Sequence, residues 1–316
     1  MKRSPFASFG AAGVALALLL AGCKSTGTAF NPPGGGMRTL HHMYLSISAT
    51  VGSVQIYNLP VTSASTPSGT IAGLNRPEEL FVDHAGRLFV PLSNGGPGKT
   101  VNVYSSPITS ASTPAFVLTT IDASVEDTTE DAAGNVYVSA WPSSSCCIDV
   151  FNGPVNASAT ANFSINSNGV TPDGLGFVFG LAFDSSGTNL YVSSFSSIIK
   201  FTPPITTAST PAANVTPNQD NYGLVVDSSN RIFVANATID GTVDVFTQPF
   251  TNASTRAFGL VVSGTHVIGM AFDGSGNLWA VDGNGVVWEV KAPITAASTP
   301  TNVLTVTNAD GIAFGP

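Results

Sequence analysis

Downstream of residue 43 the apolar residues come in short runs, each cut off by a turn. Leu80-Phe81-Val82 ends on Asp83, and Arg87-Leu88-Phe89-Val90 opens the next run. The same figure returns as Leu181-Ala182-Phe183-Asp184 before Asn189-Leu190-Tyr191-Val192, and as Leu224-Val225-Val226-Asp227 before Arg231-Ile232-Phe233-Val234. It returns again as Met270-Ala271-Phe272-Asp273 before Asn277-Leu278-Trp279-Ala280, while Asp131 marks a deviant copy. Runs of this length between turn residues predict strands, and nothing in them has the 3.6-residue period of a helix. The Asp residues read as turn formers, because a carboxylate just ahead of a tight turn accepts nearby backbone N–H groups.

A second figure, Pro-hydrophobic-Thr-x-Ala-Ser-Thr-Pro, occupies residues 60–67, 107–114, 204–211 and 293–300, with degenerate copies at 154–161 and 249–256. Successive copies are 44 to 50 residues apart. Each unit therefore holds four short strands, the size and content of a propeller blade. The ends are complementary: residues 43–73 supply the last three strands of a unit and residues 311–314 only a first strand. The expected fold is all-β, a six-bladed β-propeller of four-stranded antiparallel blades closed by a three-plus-one clasp, over residues 44–316.

Residues 1–22 stand apart. Lys2 and Arg3 precede a short apolar stretch over residues 10–22, and Leu20-Ala21-Gly22-Cys23 resembles the lipobox of bacterial lipoproteins. That resemblance implies cleavage before Cys23, lipidation of its thiol and attachment to a membrane of the bacterial cell envelope. Lys24 in place of Asp favours the outer membrane. Thirteen apolar residues are too few to span a bilayer. Residues 23–43 read as a flexible tether rich in Ser, Thr, Gly and Pro. Charge then narrows the partners: only 9% of residues are charged and the formal net charge is −8. A nucleic-acid backbone would be repelled, so no nucleic-acid partner is expected.

The repeat residues, such as residues 180–187 and 269–276, resemble NHL-repeat propellers and the regucalcin and gluconolactonase superfamily. The alignment on Gly180, Gly223, Gly269 and Gly311 puts one residue per blade at the mouth of the central channel: Glu78, Glu126, Phe179, Tyr222, Ile268 and Asp310. Half of this ring is acidic and half apolar. Glu79 and Asp127 replace the Gly in two blades. The resemblance implies that Glu78, Glu126 and Asp310 hold a divalent ion, Ca2+ or another hard cation, with Asp127 or Glu130 as catalytic carboxylates near a substrate. Phe179, Tyr222 and Ile268 depart from the mixed ligand ring of that family. Glu79, Trp141, Phe179 and Tyr222 are the candidate ligand contacts of this face.

Blade two is anomalous. Its inner strand reads Thr128-Thr129-Glu130 where others read Leu-Ala-Phe, so Glu130 takes the position of Phe183 and Phe272. Two arrangements satisfy this: a carboxylate buried between blades, or a shifted or bulged strand that turns Glu130 into channel water. Cys146 and Cys147, next to Trp141 in the same blade, are open to a vicinal disulfide, to two unpaired thiols or to a metal. No phosphate loop, nucleophile elbow or His-rich metal motif is present. The expected function is a lipid-anchored, non-enzymatic platform whose acidic face binds a protein, glycan or small molecule. The alternative is a metal-dependent hydrolase or lactonase resembling gluconolactonase.

Overall fold

The computed structural model describes residues 39–93, 100–121, 124–140, 148–165, 175, 177–217, 221–236 and 240–316. They form six four-stranded antiparallel sheets, and no helix occurs among them. The inner strands of blades two to five are Val125–Glu130, Val178–Phe183, Asn221–Val226 and Val267–Phe272. The sixth blade joins the two ends of the propeller, with Ala309–Gly315 innermost and His42–Ile47, Gly52–Asn58 and Gly69–Leu74 outside it. Leu45 lies opposite Ile312 and Met43 opposite Phe314 across that clasp. The first strand starts at His42, slightly inside the segment expected as tether.

Each turn figure has a defined local cause. The Asp227 carboxylate accepts the Arg231 backbone N–H at 2.8 Å and the Arg231 side chain at 2.7 Å, and Asp273 treats Asn277 the same way at 3.0 and 2.9 Å. In the Ser-Thr-Pro turns the Thr62 N–H donates to Ser65 Oγ at 2.9 Å, a bond repeated at Thr109, Thr206, Thr251 and Thr295. Both figures are structural. The core lies between blades, where neighbouring sheets stack: Leu190, Val192 and Ile199 of blade three pack with Tyr137 and Val150 of blade two.

The inner strands converge on the axis, and glycine sets how closely. A Cβ on Gly269 would stand 2.3 Å from the Asp310 carbonyl, and one on Gly311 would stand 2.5 Å from both the Glu78 carbonyl and Glu79 Cα. A Cβ on Gly223 would likewise meet the Ile268 carbonyl at 2.7 Å, and one on Gly180 would run into the Leu224 backbone N. Blade one departs from the expected pattern, since its inner strand is only Phe81–Val82. Ahead of it Pro77 still bridges Leu92 and the Glu78 N–H donates to the Pro91 carbonyl at 3.1 Å, while the Glu79 N–H donates instead to the Glu126 carbonyl of blade two at 3.2 Å. Overpacking against rigid backbone destabilises, so Gly311→Ala should cost about 1–3 kcal/mol in chemical denaturation. An unchanged midpoint would show that the contact yields freely.

Candidate functional site

An inner strand is the edge of its sheet, so half of its N–H and C=O groups point at the axis and need partners from elsewhere. Two carboxylates supply them. Asp127 accepts the Leu181 N–H of blade three at 2.7 Å and its neighbour's Thr128 N–H at 2.6 Å. Glu79 reaches across the axis and accepts the Met270 N–H of blade five at 3.2 Å and the Ile312 N–H of blade six at 3.3 Å. Gly223, Gly269 and Gly311 leave the space in which the Glu79 carboxylate lies. These two acids narrow the channel between two cavities. Glu79 lines both.

The first cavity is a cup of about 340 Å3. Its lining includes the six ring positions read from the repeat alignment, Glu78, Glu126, Phe179, Tyr222, Ile268 and Asp310. It also includes Arg76, Ser93, Ser124 and His266, which lie in connections that carry no repeat signal. On the apolar side, the Phe179 and Tyr222 rings meet edge-on at 5.1 Å, and the His266 ring follows at 5.8 Å. Phe195 extends the row at 6.3 Å and is 43% exposed. Gly283 makes room for the His266 ring, which lies 2.3 Å from where a Cβ would be.

On the acidic side, Glu78 accepts the Ser93 hydroxyl and, at 3.4 Å, the Ser48 hydroxyl. Desolvation raises the Glu78 carboxyl above its usual range, against the pull of Ser93 and of the Arg76 charge. Desolvation pushes Asp310 up to about 8, helped by the neighbouring Glu78 charge. Asp127 is pushed up to about 7 by burial, and Glu79 rises well above the usual range through burial and the charges of Asp127 and Asp310. Four acids in one narrow space thus hold protons at pH values where surface acids have lost them.

The remaining sequence candidates are placed as follows. Glu130 does not enter the cup. It keeps the position of Phe183, facing Val136 as Phe183 faces Leu190, and lines the second cavity with His84. His84 Nδ1 lies 2.5 Å from Glu130 Oε2, so the carboxylate is buried and paired, in a strand whose register shifts between Val125 and Thr128 as the inner strands of blades three to five also shift. Asp127 belongs to the axis and is occupied by backbone N–H groups. Trp141, Cys146 and Cys147 lie outside the described residues, as does Cys23. The ion implied by the family resemblance does not fit: among the described residues no three His, Cys, Asp or Glu side chains are grouped to hold a metal. The Glu78 oxygens face serine hydroxyls instead.

No family model and no curated protein is similar to this chain in sequence. Solved structures are similar in fold. The periplasmic gluconolactonase of Pseudomonas aeruginosa superposes with a TM-score of 0.61 at 12% identity, over 88% of this chain and 99% of that one. A Bacteroides uniformis protein assigned as a 6-phosphogluconolactonase gives 0.60 at 11% identity, over 87% and 83%. A β-propeller domain from Myceliophteria thermophila gives 0.55 at 10% identity, over 83% and 82%. At these identities the likeness is one of fold, and the propeller carries many functions.

The carboxyl pKa values set a pH dependence. Asp127 and Asp310 are raised from 3.8 to about 7 and about 8, so the folded state binds their protons more tightly than the unfolded state does. Their contribution is complete below about pH 4 and is lost as pH rises towards 8. The melting temperature should fall between pH 4.5 and 8.5, with a shallower fall in Asp310→Asn. A melting temperature that rises over this range, with the same slope in the variant, would contradict the assignment.

Proposed function

We propose that the cup is a hydrolytic site for a small polyhydroxylated lactone or sugar ester, working by carboxyl acid and base chemistry. The observation that carries this reading is the Glu78 and Asp310 pair on the cup floor, opposite an aromatic wall. Burial, helped by the Glu78 charge, pushes Asp310 up to about 8, so one carboxyl of the two keeps a proton near neutral pH. One carboxylate takes a proton from water as the water oxygen bonds to the acyl carbon. The other, as carboxylic acid, gives its proton to the ring oxygen as the acyl C–O bond breaks, and transfer of the proton taken from water on to this second carboxyl restores the starting state. Arg76 supplies positive charge for the oxyanion between those steps. Phe179 and Tyr222 offer faces for the C–H side of a sugar ring. The fold shared with a protein called gluconolactonase supports this reading without deciding it.

The aromatic row that runs out to Phe195 favours a second reading, in which the same cup binds a glycan or small molecule without turning it over. Under either reading we propose that Cys23 carries a lipid anchor in the bacterial cell envelope, on the outer membrane. Leu40 helps to line the second cavity, which places the start of the described chain at the end opposite the cup. An anchored propeller would then turn its cup away from the membrane.

The test is ring opening of glucono-δ-lactone, followed by base uptake in a pH-stat with and without EDTA. The proposal expects turnover above the spontaneous rate, unchanged by EDTA, and falling about 100-fold or more in Glu78→Gln and in Asp310→Asn, the range for loss of an acid or base. A rate no higher than spontaneous, or variants as fast as the native protein, would overturn it. Saturable binding of the lactone without turnover would leave the binding platform.

A further inference from the structure

The second cavity, on the far side of Glu79 and Asp127, takes no part in the chemistry of the cup. Its volume is about 200 Å3, and all six blades line it. Protein interiors are normally close-packed, and an engineered apolar cavity of about 150 Å3 is enough to bind benzene. Here the wall position is filled by a small residue in most blades, while in blade one Phe81 holds it with its ring against Phe89 at 5.8 Å. Ala182, Ala271 and Ala313 occupy three blades, and Val225 a fourth. Longer side chains at those positions would close the channel.

Blade two breaks the apolar wall with three consecutive polar residues. Thr128 stands where the other blades have Leu, Ile or Met, and its hydroxyl is buried without a hydrogen-bond partner among the described residues. Thr129 stands at the alanine position. Glu130 stands at a position held by Phe183, Phe272 and Phe314 in three other blades, so the fold itself does not need a carboxylate there. Burying one is costly unless it is paired, and Glu130 has His84 at 2.5 Å. His84 and Glu130 both line the cavity. An apolar chamber with a single polar sector is the usual form of a small-molecule site.

We propose that this chamber is a second ligand site, built for a one-ring aromatic molecule bearing a hydroxyl, with the ring against Ala182, Val225 and Ala271 and the hydroxyl at the Glu130 and His84 pair. The ring fits the volume and the apolar wall. The hydroxyl accounts for the polar residues of blade two, which no structural need explains. Entry is from the end where Leu40 and Pro316 lie, opposite the cup, so the two sites take their ligands from opposite faces.

The test uses p-cresol and toluene as probes on the intact protein, with binding read by saturation-transfer NMR and thermal shift. Saturable p-cresol binding is expected, tighter than toluene by about tenfold. Ala182→Leu should weaken p-cresol at least tenfold by filling the chamber, and Ala271→Leu should do the same from another blade, so one variant serves if the other fails to fold. Glu130→Leu should abolish the preference for p-cresol over toluene. Lactone turnover in the cup should be unchanged in Ala182→Leu. Absence of saturable binding, equal binding of both probes by the native protein, or native affinity in the alanine variants would overturn the proposal.

Discussion

The innermost strand of a propeller blade is an unpaired edge facing a crowded axis, and this protein depends on how that edge is satisfied. Each edge presents backbone N–H groups to a space too narrow for most side chains. Gly180, Gly223, Gly269 and Gly311 let the backbones approach one another directly. The two acids that take glycine's place, Glu79 and Asp127, collect four of the N–H groups between them. Closure at the axis is thus polar wherever these two carboxylates reach, from blade one to blades five and six and from blade two to blade three. The elevated carboxyl pKa values follow from the same crowding, because desolvation dominates every one of them.

Division of the channel is the functional consequence. On one side lies a cup with acids on one flank and aromatic rings on the other. On the other side lies a largely apolar chamber whose polar residues come from the adjacent blades one and two. The two compartments share Glu79 and little else, and they open towards opposite faces. The N-terminal segment joins the propeller at the chamber end. Six repeats of one supersecondary unit have in this way produced two chemically different sites, because the departures from the repeat fall on adjacent blades.

The architecture was legible because turn chemistry and strand length repeat: the Asp turns, the Ser-Thr-Pro turns and the complementary ends predict the blades and their clasp. The cup ring was legible for the same reason, since alignment on the inner-strand glycines places Glu78, Glu126, Phe179, Tyr222, Ile268 and Asp310 at one level. Arg76, Ser93 and His266 were not, because they sit in connections with no repeating pattern. The partners of Glu79 and Asp127 are backbone groups of blades three, five and six, which no pattern in sequence announces. Glu130 was recognised as out of place, yet its pairing with His84 joins a strand of blade two to a turn of blade one. That contact arises only when the ring has formed. The shortened inner strand of blade one has the same origin, since Glu79 turns to the axis and bonds to blade two.

The central claim is that the Glu79 carboxylate is required as an acceptor for the Met270 and Ile312 N–H groups. Equilibrium denaturation of Glu79→Met, which keeps the bulk and removes both acceptors, tests it most directly. Two orphaned N–H groups at about 1–3 kcal/mol each predict a loss of roughly 2 kcal/mol or more. A variant as stable as the native protein, or more stable, would contradict the account.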